Sequence, residues 1–214
     1  MAGRKKDPER TEATRNSLLE NAYQLFINEN IDSVSIGKVA KACGCSEMTV
    51  YRYYSAKPAL VVAVATLKWR QFMEENRKRR PSADFSGMTA GQIFEFYLES
   101  FLEMYRKYRD LLRFNQFFNV YMSSADMDAE TAVPYQKVIG GLREQFHDMC
   151  LKARQDHTLR TDVPEEEMFS ATLHLMLAAV TRYAVGLVYD AGIDPEKELK
   201  LLKDMLMERF CVSK

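Results

Sequence analysis

The chain has 214 residues, 47% hydrophobic and 28% charged, a globular composition long enough to bury a real core. With 9 glycines, 6 prolines and 4 cysteines, it is too poor in turn formers for a hairpin-rich sheet protein and has no disulfide framework. The net charge is zero, yet residues 1–80 hold 15 Lys/Arg against 9 Asp/Glu and residues 81–214 hold 15 against 21. A basic N-terminal third is expected to meet a polyanion. With no apolar stretch of about 18 residues, no membrane span is expected. The opening MAGRKKDPERTEATR lacks the apolar core of a secretion signal, so the expected location is the cytoplasm.

Taken in order, residues 1–10 read as a flexible arm with a basic cluster, Arg4, Lys5 and Lys6. From Thr14, the spacing of Leu18, Leu19, Ala22, Leu25 and Phe26 predicts a helix burying one face. Ser35 can cap a short second helix that turns Ile36, Val39 and Ala40 inward. Gly44 punctuates, and Ser46 caps a third helix with Val50 and Tyr54 inside. Pro58 suits the start of a long helix running to about Arg80, where Pro81 ends it. Further helices are predicted over 91–107 and 109–122, from near Pro134 to Arg154, from Pro164 to Tyr189, and from Pro195 onward. The reading is all-α, with about nine helices and no repeats. Its expected domains are the arm 1–10, a helix-turn-helix domain 11–57, a connecting helix 58–80 and a C-terminal domain 81–214.

Residues 35–54, SIGKVAKACGCSEMTVYRYY, carry the function. Two short helices flank a glycine-containing turn, and the second presents polar and aromatic side chains, which is what a helix-turn-helix requires. The first helix braces across the DNA backbone, and the second places its N-terminal side chains against base edges in the major groove. Free N–H groups at the helix starts near Ser35 and Ser46 suit phosphate. Cys43 and Cys45 form a C-x-C pair, but no second Cys or His pair stands at zinc spacing, so they read as small buried residues flanking a turn and no metal is expected.

Residues 12–66 resemble the TetR/AcrR family of bacterial regulators. Ala22, Leu25, Phe26, Ser35, Ile36, Val39, Ala40, Gly44, Ser46, Thr49, Val50, Tyr51, Tyr53, Tyr54, Lys57 and Leu60 fall on that family's pattern at fixed spacing. The resemblance implies that Ser35, Lys38 and Ser46 lie at the DNA face. It also implies that Thr49, Tyr51, Tyr53 and Lys57 touch phosphates or thymine methyls, and that Glu47, Met48 and Arg52 read sequence. Chemically, Arg52 could fork onto guanine and Glu47 accept from cytosine N4. Glu47 has a second reading, an acid favoured at a helix start. Glu47 and Met48 depart from the family's more usual basic and small residues, and Gly37 stands where a longer side chain often reaches DNA. Arg4-Lys5-Lys6 has two readings, a minor-groove arm or a solvated tail. Arg77-Lys78-Arg79-Arg80 reads as charge offsetting a helix dipole rather than as a DNA contact.

For the C-terminal portion the resemblance implies a helical ligand-binding and dimerisation domain. Tyr105, Phe114, Asn115, Phe118, Asn119, Met122, Phe146, His147, His174 and Arg182 are the candidate ligand contacts, although each aromatic also reads as plain core. His174, inside LHLMLAAV, reads more safely as a buried core histidine with a hydrogen-bond partner. The last two helices carry more apolar surface than one face would bury, and are expected to form a homodimer. By the resemblance, a dimer sets two recognition helices about 34 Å apart on double-stranded DNA, over a near-palindromic operator. The expected protein is a repressor released by a small apolar or amphipathic effector. A DNA-binding protein of this fold without an effector is the alternative. No catalytic motif stands out and three histidines leave little acid–base chemistry, so no enzyme activity and no cofactor are expected.

Overall fold

A computed structural model describes residues 8–78, 85–186, 192 and 194–212. Arg4, Lys5 and Lys6 of the expected arm lie outside these residues, as do Arg79, Arg80, Pro81 and the expected helix end at Tyr189–Ala191. Among the described residues there are nine α-helices: α1 Pro8–Glu29, α2 Ile36–Ala42, α3 Glu47–Tyr53, α4 Lys57–Lys78, α5 Ala90–Lys107, α6 Arg109–Ser124, α7 Ala129–Asp156, α8 Glu165–Val185 and α9 Pro195–Phe210. The β-structure among them is one isolated bridge, Leu159 to Cys211.

Three boundaries differ from the expected ones for identifiable reasons. Helix α1 opens at Pro8, inside the expected arm, with proline at a first-turn position where its missing N–H costs nothing. Helix α7 begins at Ala129, not near Pro134. The Asp128 carboxylate accepts from the Thr131 N–H and hydroxyl, both at 2.8 Å, and so caps the helix five residues earlier. Helix α8 stops at Val185 because Gly186 sits at φ 105°, a left-handed conformation that ends the run. Helix α8 is also long and apolar enough to cross a membrane, against the sequence expectation. It opens on Glu165, Glu166 and Glu167, and it buries Met168, Met176 and Val180 against protein.

The chain divides into two compact units, residues 1–71 with 114–137, and residues 72–113 with 138–214. The expected division into 11–57, 58–80 and 81–214 follows chain order, and these units do not. Helices α4, α6 and α7 each pass from one unit into the other.

The first unit is built on α1 to α3, residues 57–71 of α4, residues 114–124 of α6 and residues 129–137 of α7. Leu18, Ala22, Phe26, Val39, Val50 and Leu60 are buried at one per cent exposure or less. Phe114 belongs to this core: its ring meets Tyr23 edge-on at 5.5 Å and stacks with Phe26 at 6.3 Å and Phe118 at 6.0 Å.

The second unit packs α5 against α8 and α9. The Arg106 guanidinium forks onto Glu196 at 2.7–3.1 Å and reaches Glu99 at 3.1 Å, while Lys203 reaches Glu95 at 3.1 Å. These pairs pin α9 to α5. Thr89 closes a capping box with Gln92 at the start of α5. Beyond it, Asp156 accepts from the Ala90 N–H at 2.7 Å and Thr158 accepts from the Gly91 N–H at 2.8 Å. Burial draws the Asp156 carboxyl upward, but the donors of Ala90 and Thr158 outweigh it and hold it below the ordinary carboxylate range. Its contribution to stability is therefore complete at neutral pH and is lost as the pH falls through that depressed value. Urea unfolding followed from neutral to acid pH should show a shallower acid loss in Asp156→Ala than in the wild type. An identical pH profile would remove this carboxylate from the account.

Candidate nucleic-acid interface

Local chemistry explains why residues 35–54 turn twice. The Ser35 hydroxyl accepts from the Lys38 N–H at 3.2 Å and starts α2, and the Ser46 hydroxyl accepts from the Thr49 N–H at 3.3 Å and starts α3. Between them, Gly44 lies at φ 63°, where a side chain would be strained. Its N–H donates to the Lys41 carbonyl at 3.1 Å, and the Cys45 N–H donates to the Ala40 carbonyl at 3.0 Å. This pair of bonds is a Schellman closure, which ends α2 and aims the chain into α3. The thiols of Cys43 and Cys45 flank it half-buried and unlinked, less buried than expected. Burial, then the neighbouring Cys45, push the Cys43 thiol up, opposed by the Ser17 side chain.

Helix α3 buries Val50 fully, with Tyr54 just beyond it, and turns Glu47, Met48, Tyr51 and Arg52 outward. Those four positions lie within about 140° of one helix face, the i, i+1, i+4, i+5 set. Met48 is 76% exposed and Tyr51 45%, large apolar bodies left in water beside a cation. The Arg52 guanidinium lies 5.5 Å from the Tyr53 ring centre. Thr49 and Tyr53 are half-buried at the edge of this face, and the Thr49 hydroxyl is shared with Ser46 at 3.1 Å. On α2, Lys38 is exposed and paired with Glu29.

Two candidates sit differently from the expectation. Lys57 is half-buried: its Nζ donates to the Asp32 carbonyl at 3.1 Å and lies 5.3 Å from the Tyr121 ring centre. Burial pulls its pKa down, with Asp32 opposing. Within the first unit it ties the turn after α1 to α4 and α6, so it is not a free phosphate contact in this conformation. Glu47 is exposed, but its carboxylate folds back over the first turn of α2. A Cβ on Gly37 would stand 2.5 Å from its Oε1 and 3.3 Å from its Cδ.

Residues 18–64 match the sequence profile described as bacterial regulatory proteins, tetR family. Through this segment, the chain is similar to the TetR family. An uncharacterized HTH-type transcriptional regulator of Mycobacterium tuberculosis (strain ATCC 25618 / H37Rv) is 35% identical over 66 residues, 31% of this chain and 33% of that protein. The similarity thus spans about a third of the length of the curated relative. A TetR family transcription regulator from Marinobacter aquaeolei VT8 shares the fold with TM-score 0.65 and 19% identity, over 97% of this chain and 100% of the other. A transcriptional regulator from Saccharomonospora viridis in complex with choline superposes with TM-score 0.73 and 15% identity, over 95% and 100%. Among the described residues, the nine helices, with an N-terminal helix-turn-helix followed by further helices, match the fold of these TetR-family structures.

The ten candidate ligand contacts are not one set in this chain. Phe114, Asn115, Phe118, Asn119 and Met122 fall in the first unit, and Tyr105, Phe146, His147, His174 and Arg182 in the second. Phe114 and Phe118 are core, the latter 4.8 Å from the Tyr135 ring. Asn115 is buried, Met122 half-buried and Asn119 exposed. Tyr105 packs on Tyr183, and Phe146 on Phe94, Tyr97 and Phe169. His147 is exposed, its Nδ1 3.0 Å from both Glu165 carboxylate oxygens.

His174 is exposed rather than buried, and Arg182 lies on the same outer face of α8. The expectation failed because an apolar-looking helix was taken as buried all round. Sequence reasoning also missed Thr172 and Thr181, whose hydroxyls are buried with no hydrogen-bond partner among the described residues. A threonine in an apolar helix gives no signal distinguishing it from a back-bonded one such as Thr66, which donates to the Val62 carbonyl at 2.7 Å.

Proposed function

We propose that the protein is a DNA-binding transcriptional regulator of the cytoplasm. It acts as a homodimeric repressor on a near-palindromic operator and is released by a small apolar or amphipathic effector. The observation that carries the DNA-binding reading is the outward face of α3. Met48, Tyr51 and Arg52 stand exposed on a short capped helix braced by the fully buried Val50. Such a face offers a guanidinium for guanine, a phenol for phosphate and an apolar body for a thymine methyl. Tyr51→Ala should weaken duplex binding about tenfold and leave its log–log salt dependence unchanged, because a neutral phenol releases no counterion. Fluorescence anisotropy over a salt series measures both. Unchanged affinity would detach this side chain from DNA.

Two observations support the rest of the reading. Helix α8 leaves Leu175 and Val185 exposed, and α9 leaves Leu201 and Met205 exposed with Val212 just beyond. This apolar stripe at helical spacing is what a second copy would cover. Thr172 and Thr181 face opposite sides of α8, each hydroxyl buried without a partner among the described residues, and a ligand with an apolar body and a polar group would relieve that cost at one of them. A structure of this fold holds choline, in keeping with a ligand-binding role. Coupling then needs the effector to favour a conformation with the wrong spacing of recognition helices.

A further inference from the structure

Gly37 and Glu47 are two places where the helix-turn-helix departs from the family's usual pattern, and the structure makes them one feature. Gly37 is the second residue of α2, and Glu47 is the first of α3. With hydrogen in place of a side chain, Gly37 leaves the volume that the Glu47 carboxylate fills. A Cβ there would lie 2.5 Å from Oε1, closer than any side chain tolerates, and 3.7 Å from the Ser35 hydroxyl. The first residue of a recognition helix would otherwise face base edges, where a carboxylate accepts from cytosine and repels phosphate.

We propose that Gly37 is a specificity-determining residue that never touches DNA: it lets the Glu47 carboxylate lie back on α2, so that Met48 and Arg52 select the bases. This rests on the DNA-binding reading above and names how that site chooses sequence. Both sides of the feature are physically reasonable. The folded-back carboxylate sits near the positive starts of two helices, its own and that of α2, and it keeps a negative charge off the groove. A glycine in a helix costs about 1 kcal/mol relative to alanine, so its presence here calls for a reason of this kind.

Gly37→Ala separates the idea from mere stability. Gly37 is not in a left-handed conformation, and what a new Cβ meets is the far end of a flexible side chain. The carboxylate therefore swings out while the backbone stays, and the variant should melt no lower than the wild type. The test is selection of binding duplexes from a randomised pool by the full chain, the Gly37→Ala variant and the Gly37→Ala/Glu47→Ala double variant. Gly37→Ala should gain about tenfold enrichment for cytosine at one base pair per half-site, and the double variant should lose that gain. Identical selection by wild type and Gly37→Ala overturns the proposal, as does a new preference that persists in the double variant. A wild-type chain that enriches no sequence while the variants also enrich none overturns the DNA-binding reading itself. That outcome is distinct, because the proposal fails alone only when the wild type does select.

Discussion

Phe114→Ala should cost about 3–5 kcal/mol of stability, the largest loss expected from any single truncation in the first unit. Phe114 has no exposed surface, and its ring touches rings from two turns of α1 and one of α6. Deleting it leaves a cavity bounded by Tyr23, Phe26 and Phe118, none of which can fill it without leaving its own packing. The second half of α6 would lose its anchor on the helix that supports α2 and α3, so DNA binding should fall with stability. Urea denaturation read by circular dichroism measures the cost, and Phe114→Leu should recover more than half of it. A loss below about 1 kcal/mol would mean that α6 is not part of that core.

Reversing the character of the α9 stripe should separate the proposed dimer. Leu201 is 58% exposed and Met205 53%, one turn apart, so two glutamates there would meet their own images across a two-fold axis. Leu201→Glu/Met205→Glu should therefore run as a monomer in sedimentation while keeping its helical signal, because neither side chain is in the core. Affinity for a palindromic duplex should drop by about 100-fold or more, the loss expected when two tethered half-sites become independent. A double variant that remains a dimer would place the interface elsewhere.

The helix-turn-helix was legible because local chemistry decides it. Ser35, Gly44 and Ser46 cap, reverse and restart the chain whatever lies around them, and Val39, Ala40 and Val50 repeat at helical spacing. The order of helices was legible for the same reason. What periodicity cannot say is which partner an apolar face meets. Phe114 and Phe118 read as core from spacing, but nothing in the sequence assigns them to Tyr23 and Tyr135 rather than to the C-terminal helices. His174 misled because a helix apolar on most sides was assumed covered on all of them. The family resemblance implied a phosphate contact for Lys57, while its hold on the Asp32 carbonyl and the Tyr121 ring depends on a residue 64 positions later. The pairing of Gly37 with Glu47 was present as two separate oddities, and only their distance joins them.

The central claim is that the outward face of α3 binds duplex DNA, and the slope of log affinity against log salt for the full chain tests it most directly. A dimer making about six or more phosphate contacts should lose about 1,000-fold in affinity between about 50 and about 200 mM salt. Tyr51→Ala and Arg52→Ala should both bind more weakly across that range. No measurable binding at low salt, or an affinity that ignores both salt and these two side chains, would contradict the account.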